Sequence, residues 1–136
     1  METSDAERWN KRYQEERYRT FESPRPFLLE NSGYLPASGI ALDFAMGLGG
    51  NSIFLLERGL DVMGVDIAAE AVRYAKKQSP ALMAVIADLN HFYLPTARFE
   101  LIINFFYLQR GTWTDLKRAL RPGGILIFET MTTEML

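Results

Sequence analysis

The stretch Ile40-Ala41-Leu42-Asp43-Phe44-Ala45-Met46-Gly47-Leu48-Gly49-Gly50-Asn51-Ser52 decides the fold. It opens with a short apolar run broken by Asp43, continues through glycines at 47, 49 and 50, and leads into residues 51–58, whose Ile53, Phe54, Leu55 and Leu56 read as the inward side of a helix. The order is strand, glycine loop, helix. Without side chains at 47 and 49 the backbone can approach a ligand closely, and the amides of the helix start face the same crevice. Gly59 stands where a helix C-terminus favours positive φ, and Asp61-Val62-Met63-Gly64-Val65 predicts a second strand ending at Asp66. An acid at that place, nineteen residues after Gly47, can accept hydrogen bonds from both hydroxyls of a ribose. The first crossover therefore reads as a nucleoside-binding unit. Its structural alternative is a glycine turn that only tightens strand–helix packing.

Outward from this unit, residues 68–77 predict a second helix with Lys76 and Lys77 in its last turn, where cations suit the macrodipole. Residues 81–87 predict a third strand ending at Asp88, and 99–103 a fourth ending at Asn104. Residues 112–120 follow as a helix, Arg121-Pro122-Gly123-Gly124 as a tight turn, and 125–128 as a fifth strand. These strands are near-continuous apolar runs, as parallel strands buried on both faces are. Their alternation with helices predicts right-handed crossovers and a doubly wound, mostly parallel α/β sheet. At the N-terminus Ser4-Asp5-Ala6-Glu7 matches a capping box, with Trp9, Tyr13, Arg12 and Tyr18 near helical spacing. Ser23-Pro24 reads as a second helix start, Phe27, Leu28 and Leu29 as its apolar side, and Asn31-Ser32-Gly33 as its stop. The chain is expected to form a single domain over 1–136: an N-terminal helical cap (1–35), a core (40–128) and a short tail (129–136).

Composition narrows the function classes. The 136 residues are 48% hydrophobic and 24% charged, the balance of a globular domain able to build a core without staples. Cysteine is absent, which removes disulfides, thiolate metal sites and cysteine nucleophiles and suits a cytoplasmic setting. The net charge of −2 supplies no basic field for nucleic acid, and no apolar run predicts a membrane span. His91, the one histidine, cannot form a metal site alone, so no metal is expected. Ser52 stands where the third glycine of a dinucleotide fingerprint would fall, which argues against an NAD-dependent oxidoreductase.

Residues 40–128 resemble the core of class I S-adenosylmethionine-dependent methyltransferases. The resemblance rests on five motifs in order: Leu42-Asp43-Phe44-Ala45-Met46-Gly47-Leu48-Gly49; Val65-Asp66; Ala87-Asp88-Leu89; Phe99-Glu100-Leu101-Ile102-Ile103-Asn104; and Leu120-Arg121-Pro122-Gly123-Gly124. Within residues 49–59 and 104–110 it is similar to the small bacterial tellurite-resistance and thiopurine-methyltransferase-like type. It implies a Rossmann-like sheet of order 3-2-1-4-5 and S-adenosyl-L-methionine as cofactor. Gly47 and Gly49 would pass under the cofactor's amino-acid part, and Asp43 would orient the loop and help bind the ammonium. Asp66 would hold the ribose, Ile67 would lie against the adenine, Asp88 would accept from the adenine amino group, and Leu89 would pack nearby. Asn104 would face the methionine moiety and the substrate, and it is the one candidate for a catalytic residue. Ala45 replaces the first glycine of the family's triplet, a departure expected to cost little. The implied reaction is in-line methyl transfer to a small-molecule acceptor, in which the protein mainly aligns and desolvates.

No clear catalytic base appears. Tyr107, in the Phe105-Phe106-Tyr107 run, and Glu129, just past the fifth strand beside Thr130, are the substrate-side candidates, with core packing the alternative for the aromatic run. Trp9 and Tyr13 could close over the cofactor or simply pack. Only eight residues follow Phe128, too few for the family's last antiparallel hairpin, so a five-stranded sheet lacking it is expected. A truncated, non-catalytic remnant that binds the cofactor or a partner is therefore the second reading. Retention of Asp43, Asp66, Asp88 and Asn104 together favours the first. The apolar fifth strand, left as an edge, predicts a homodimer through that edge or a fold-back of residues 130–136.

Overall fold

The computed structural model describes residues 4–13, 22–107 and 110–130. Tyr18, positions 108 and 109 of the 104–110 stretch, and residues 131–136 lie outside them. Five parallel strands, β1 (Ile40–Phe44), β2 (Asp61–Asp66), β3 (Met83–Ile86), β4 (Phe99–Phe105) and β5 (Leu120–Glu129), form one sheet of order β3-β2-β1-β4-β5. The helices are α1 (Asp5–Tyr13), α2 (Pro26–Glu30), α3 (Gly50–Glu57), α4 (Ala69–Gln78) and α5 (Trp113–Ala119). The order is the one expected, and it reverses direction between β1 and β4. That reversal opens a crevice at the carboxyl ends of the central strands.

The strands lack polar alternation because each face has its own core. Ala41, Leu101, Ile103 and Ile127 pack with Leu28, Leu55, Val62 and Val72 in one cluster. Leu42, Phe44, Val65 and Ile102 pack with Leu116 and Ala119 of α5 in the other. Successive side chains point to opposite faces, so alternate residues enter alternate cores and both sets must be apolar.

Local signals explain most of the boundaries. The capping box forms as read: Glu7 N–H donates to Ser4 Oγ at 3.2 Å and Ser4 N–H donates to Glu7 Oε2 at 3.3 Å. Helix α1 then docks on α4, where Glu70 N–H donates to Asn10 Oδ1 at 3.0 Å. Asn10 thereby caps a helix whose own N-cap, Ala68, has no side chain able to do so. Helix α2 begins later than expected. Its N-cap is Arg25 and Pro26 occupies the first turn, so the second proline of the pair, not Pro24, starts the helix. The turn expected at 121–124 is instead an irregularity within β5. The pairing jumps from Phe99↔Leu120 to Leu101↔Ile125, and Gly123 takes up the slack at φ +81°. Among the described residues β5 has no strand on its outer side, which is where a proline in a strand is tolerated.

Candidate functional site in the crevice above the central strands

Asp66, the last residue of β2, is 5% exposed. Its Oδ2 accepts from Gly47 N–H at 2.9 Å, and its Oδ1 accepts from Ala68 N–H at 2.9 Å. One carboxylate thus braces the glycine loop and the entry to α4 together. Each oxygen keeps lone-pair capacity for a further donor. Burial raises the Asp66 pKa, while the Ala68 and Gly47 amides oppose the rise.

Asp43 lies deeper, 1% exposed, and accepts from Ser52 Oγ at 2.7 Å. Ser52, read as the residue that breaks a dinucleotide fingerprint, is the partner that ties β1 to α3. Asp43 therefore bonds to α3 and is itself enclosed. Burial pushes its pKa to about 7, the Ser52 hydroxyl lowers it, and the nearby Asp66 charge raises it again.

The glycines divide the work. Gly47 adopts φ +56° and points its amide at Asp66. Gly49 adopts φ +86°, and a Cβ there would lie 2.7 Å from the Ala75 methyl of α4. Its lack of a side chain serves helix packing as well as the loop. Gly64, in the middle of β2, was not singled out from the sequence. A Cβ on it would collide with the Met46 sulfur at 2.1 Å, so it is the seat for the buried loop methionine. Ala45 corrects the expectation that alanine costs little. It sits at φ +72°, left-handed backbone that costs a non-glycine residue about 1–2 kcal/mol.

The remaining residues gather along the same edge. Asp88 is exposed, and its Oδ1 accepts from Asn90 N–H at 3.0 Å, capping the turn Leu89–His91. Leu89 is buried in the second core with Phe44, so the half-buried Ile67 is the apolar residue left at that rim. Tyr107 stacks edge-on against Phe44 at 6.0 Å and donates from its hydroxyl to Asn90 Oδ1 at 3.3 Å. Burial raises the Tyr107 pKa, and the Asp88 and Asp66 charges add to the rise. Asn104 in β4 is 2% exposed, and its Oδ1 has no hydrogen-bond partner among the described residues. Glu129 ends β5 and lies 3.5 Å from Arg25 Nε, a residue the sequence reading did not single out. Trp9 packs against Leu48, Ala68 and Ala71, which sets α1 beside the glycine loop. His91 is exposed, and the described residues hold no cluster of three or more metal-ligating side chains.

Two stability predictions follow from the carboxylate and the alanine. An acid whose folded pKa exceeds its ordinary value of 3.8 stabilises the fold fully at low pH, and that contribution is lost as pH rises from about 4 through about 7. Stability of the wild type relative to Asp43→Asn should fall by up to about 1.4 kcal/mol per pH unit across that window and level off above it. Urea unfolding at pH 5, 6, 7 and 8 checks this, and equal slopes for the two proteins would contradict it. Ala45→Gly should raise stability by about 0.5–1 kcal/mol, because relief of the positive φ outweighs the extra freedom of glycine in the unfolded chain. The same urea experiment reads it.

Comparison with known proteins agrees with this geometry. Residues 41–124 match the family model described as "Methyltransferase domain". The chain is 34% identical over 112 residues to a malonyl-[acyl-carrier protein] O-methyltransferase of Enterobacter lignolyticus, covering 75% of this chain and 43% of that protein. It superposes with a TM-score of 0.72 and 21% identity on a TehB-like SAM-dependent methyltransferase from Corynebacterium glutamicum, covering 89% and 71% of the two chains. It superposes with a TM-score of 0.66 and 16% identity on the geranyl diphosphate C-methyltransferase of Streptomyces coelicolor, covering 75% and 41%. The chain spans about two fifths of the length of the curated relatives it matches. The likeness carries the family and not the tellurite-resistance subgroup. From the matched loop, the strand-end acids and the sheet order together, the chain belongs to the methyltransferase domain family.

Proposed function

We propose that the crevice binds S-adenosyl-L-methionine and that the domain serves methyl transfer to a small-molecule acceptor. The observation that carries this is the buried Asp66 carboxylate, joined to the glycine loop and to the start of α4 at the mouth of the crevice, with lone-pair capacity left for a ligand donor. The Streptomyces C-methyltransferase is described in complex with S-adenosyl-L-homocysteine, which supports the same class of ligand here. The residues present fit such a group. Asp66 would take the ribose hydroxyls, Asp88 a donor on the adenine edge, and Ile67 the adenine face. The orphaned Asn104 Oδ1, buried at the end of β4, would take an ammonium donor. Bound there, the cofactor supplies a methyl group already activated as a sulfonium substituent. The chain's own part is to hold, orient and keep water out: Gly47 and Gly49 shape the loop, Asp43 and Ser52 fix it to α3, and Tyr107, bonded to Asn90 and packed on Phe44, walls the rim beside Asp88. A second reading, a domain that binds the cofactor without acting, rests on the same residues.

Calorimetry with S-adenosylmethionine and S-adenosylhomocysteine tests the proposal. Asp66→Asn keeps one acceptor for the backbone amides and removes the charge. It should weaken binding by about 10- to 100-fold, since a hydrogen bond to a charged group contributes about 1.5–3 kcal/mol. Unchanged affinity with the fold intact would sink the assignment, and micromolar binding of NADH would restore the oxidoreductase reading.

We propose a small-molecule acceptor and no nucleic acid, a reading supported by the net charge of −2, which supplies no basic field. Among the described residues no helix is long and apolar enough to cross a membrane. We propose self-association through the outer edge of β5, whose backbone has no partner among the described strands. Sedimentation at several concentrations should show a dimer at tens of micromolar, and a sharp monomer there contradicts it.

A further inference from the structure

Arg25 Nε and Glu129 Oε1 are both buried, and neither has a hydrogen-bond partner among the described residues. The two atoms face each other across 3.5 Å. A guanidinium and a carboxylate that pair normally close to about 2.7–2.9 Å. Here each keeps an unused donor or acceptor, the kind of orphan that calls for an occupant.

The backbone that carries each partner is tied in place. Arg25 N–H donates to Asn51 Oδ1 at 2.7 Å, which anchors the arginine to the start of α3 and so beside the glycine loop. Its guanidinium carbon lies 4.6 Å from the centre of the Phe106 ring. Phe106 in turn donates its amide to the Glu129 carbonyl at 2.7 Å and adopts φ +64°. An aromatic residue takes up that backbone only where its surroundings impose it, and such residues concentrate at ligand sites. The three residues therefore meet in one polar cluster at the carboxyl ends of β4 and β5.

The charges decide what enters. A carboxylate or phosphate would meet the like charge of Glu129, and an ammonium would meet that of Arg25. A neutral hydroxyl accepts from Arg25 Nε–H and donates to Glu129 Oε1 through one oxygen. Two bonds of about 2.8 Å require the pair to open by roughly 1 Å. We infer that Arg25 and Glu129, over Phe106, form the acceptor subsite and select a neutral hydroxyl-bearing acceptor over a carboxylate one. The role as acceptor subsite rests on the methyl-transfer reading, whereas the selection rests on the pair itself.

The test follows the Arg25 Nε–H resonance of nitrogen-15-labelled protein while 2-naphthol or hexanoate is added, with and without S-adenosylhomocysteine. Naphthol should shift that resonance at concentrations where hexanoate leaves it unmoved. Glu129→Gln should weaken naphthol about tenfold, as a charge-assisted bond becomes a neutral one, and should admit hexanoate. A wild-type response to hexanoate before naphthol, equal naphthol affinity in folded Glu129→Gln, or no response to either probe would overturn the inference. Calorimetry with S-adenosylhomocysteine on the same samples separates the two claims. Naphthol binding at Arg25 without nucleoside binding would overturn the cofactor assignment and leave the hydroxyl selection standing.

Discussion

Two backbone amides on one buried carboxylate set the geometry of this domain. Gly47 N–H and Ala68 N–H both donate to Asp66, which sits at the tip of β2 almost out of water. A carboxylate there carries a desolvation cost that only fixed donors can offset. The donors come from the two segments that must converge, the loop after β1 and the turn before α4. Crevice geometry and carboxylate satisfaction are therefore one requirement. Asp43 repeats the device one layer down, with the Ser52 hydroxyl as donor and a pKa pushed to about 7. Two carboxyl groups thus lie close together out of water, and each raises the energetic cost of ionising the other.

The tight packing around the loop comes from small residues in unexpected places. Gly64 leaves room for Met46, and Gly49 lets Ala75 of α4 approach. Both contacts join sequence neighbourhoods that a linear motif treats separately. Ala45 shows the opposite case: the loop keeps its left-handed turn although the residue there disfavours it. The surrounding hydrogen bonds, from Ala45 and Met46 amides to the Val65 carbonyl, hold the backbone in place.

Much of this was legible in the sequence because it depends on local order. The strand–loop–helix pattern at 40–58, the acids at strand ends and the Ser4–Glu7 capping box all use residues a few positions apart, whereas the sheet order came from the resemblance to the methyltransferase family. What escaped depends on distant pairing. Arg25 and Glu129 are far apart in the chain and meet only once α2 folds over the end of β5. Ser52 read as an obstacle because its partner, Asp43, is visible only when α3 packs on β1. The 121–124 segment carries turn chemistry, yet neighbouring β4 absorbs it as an irregularity in a strand. The start of α2 moved by two residues because two prolines compete for it, and only packing of Leu28 chooses between them.

Amide chemical-shift mapping with S-adenosylhomocysteine tests the central claim most directly. If Asp66 joins the loop to the ligand, the largest shifts should fall on the amides of Gly47, Ala68 and Asp88, with the outer edge of β5 and the last turn of α4 unmoved. Shifts confined to those distant surfaces, or none at saturating nucleoside, would contradict the account.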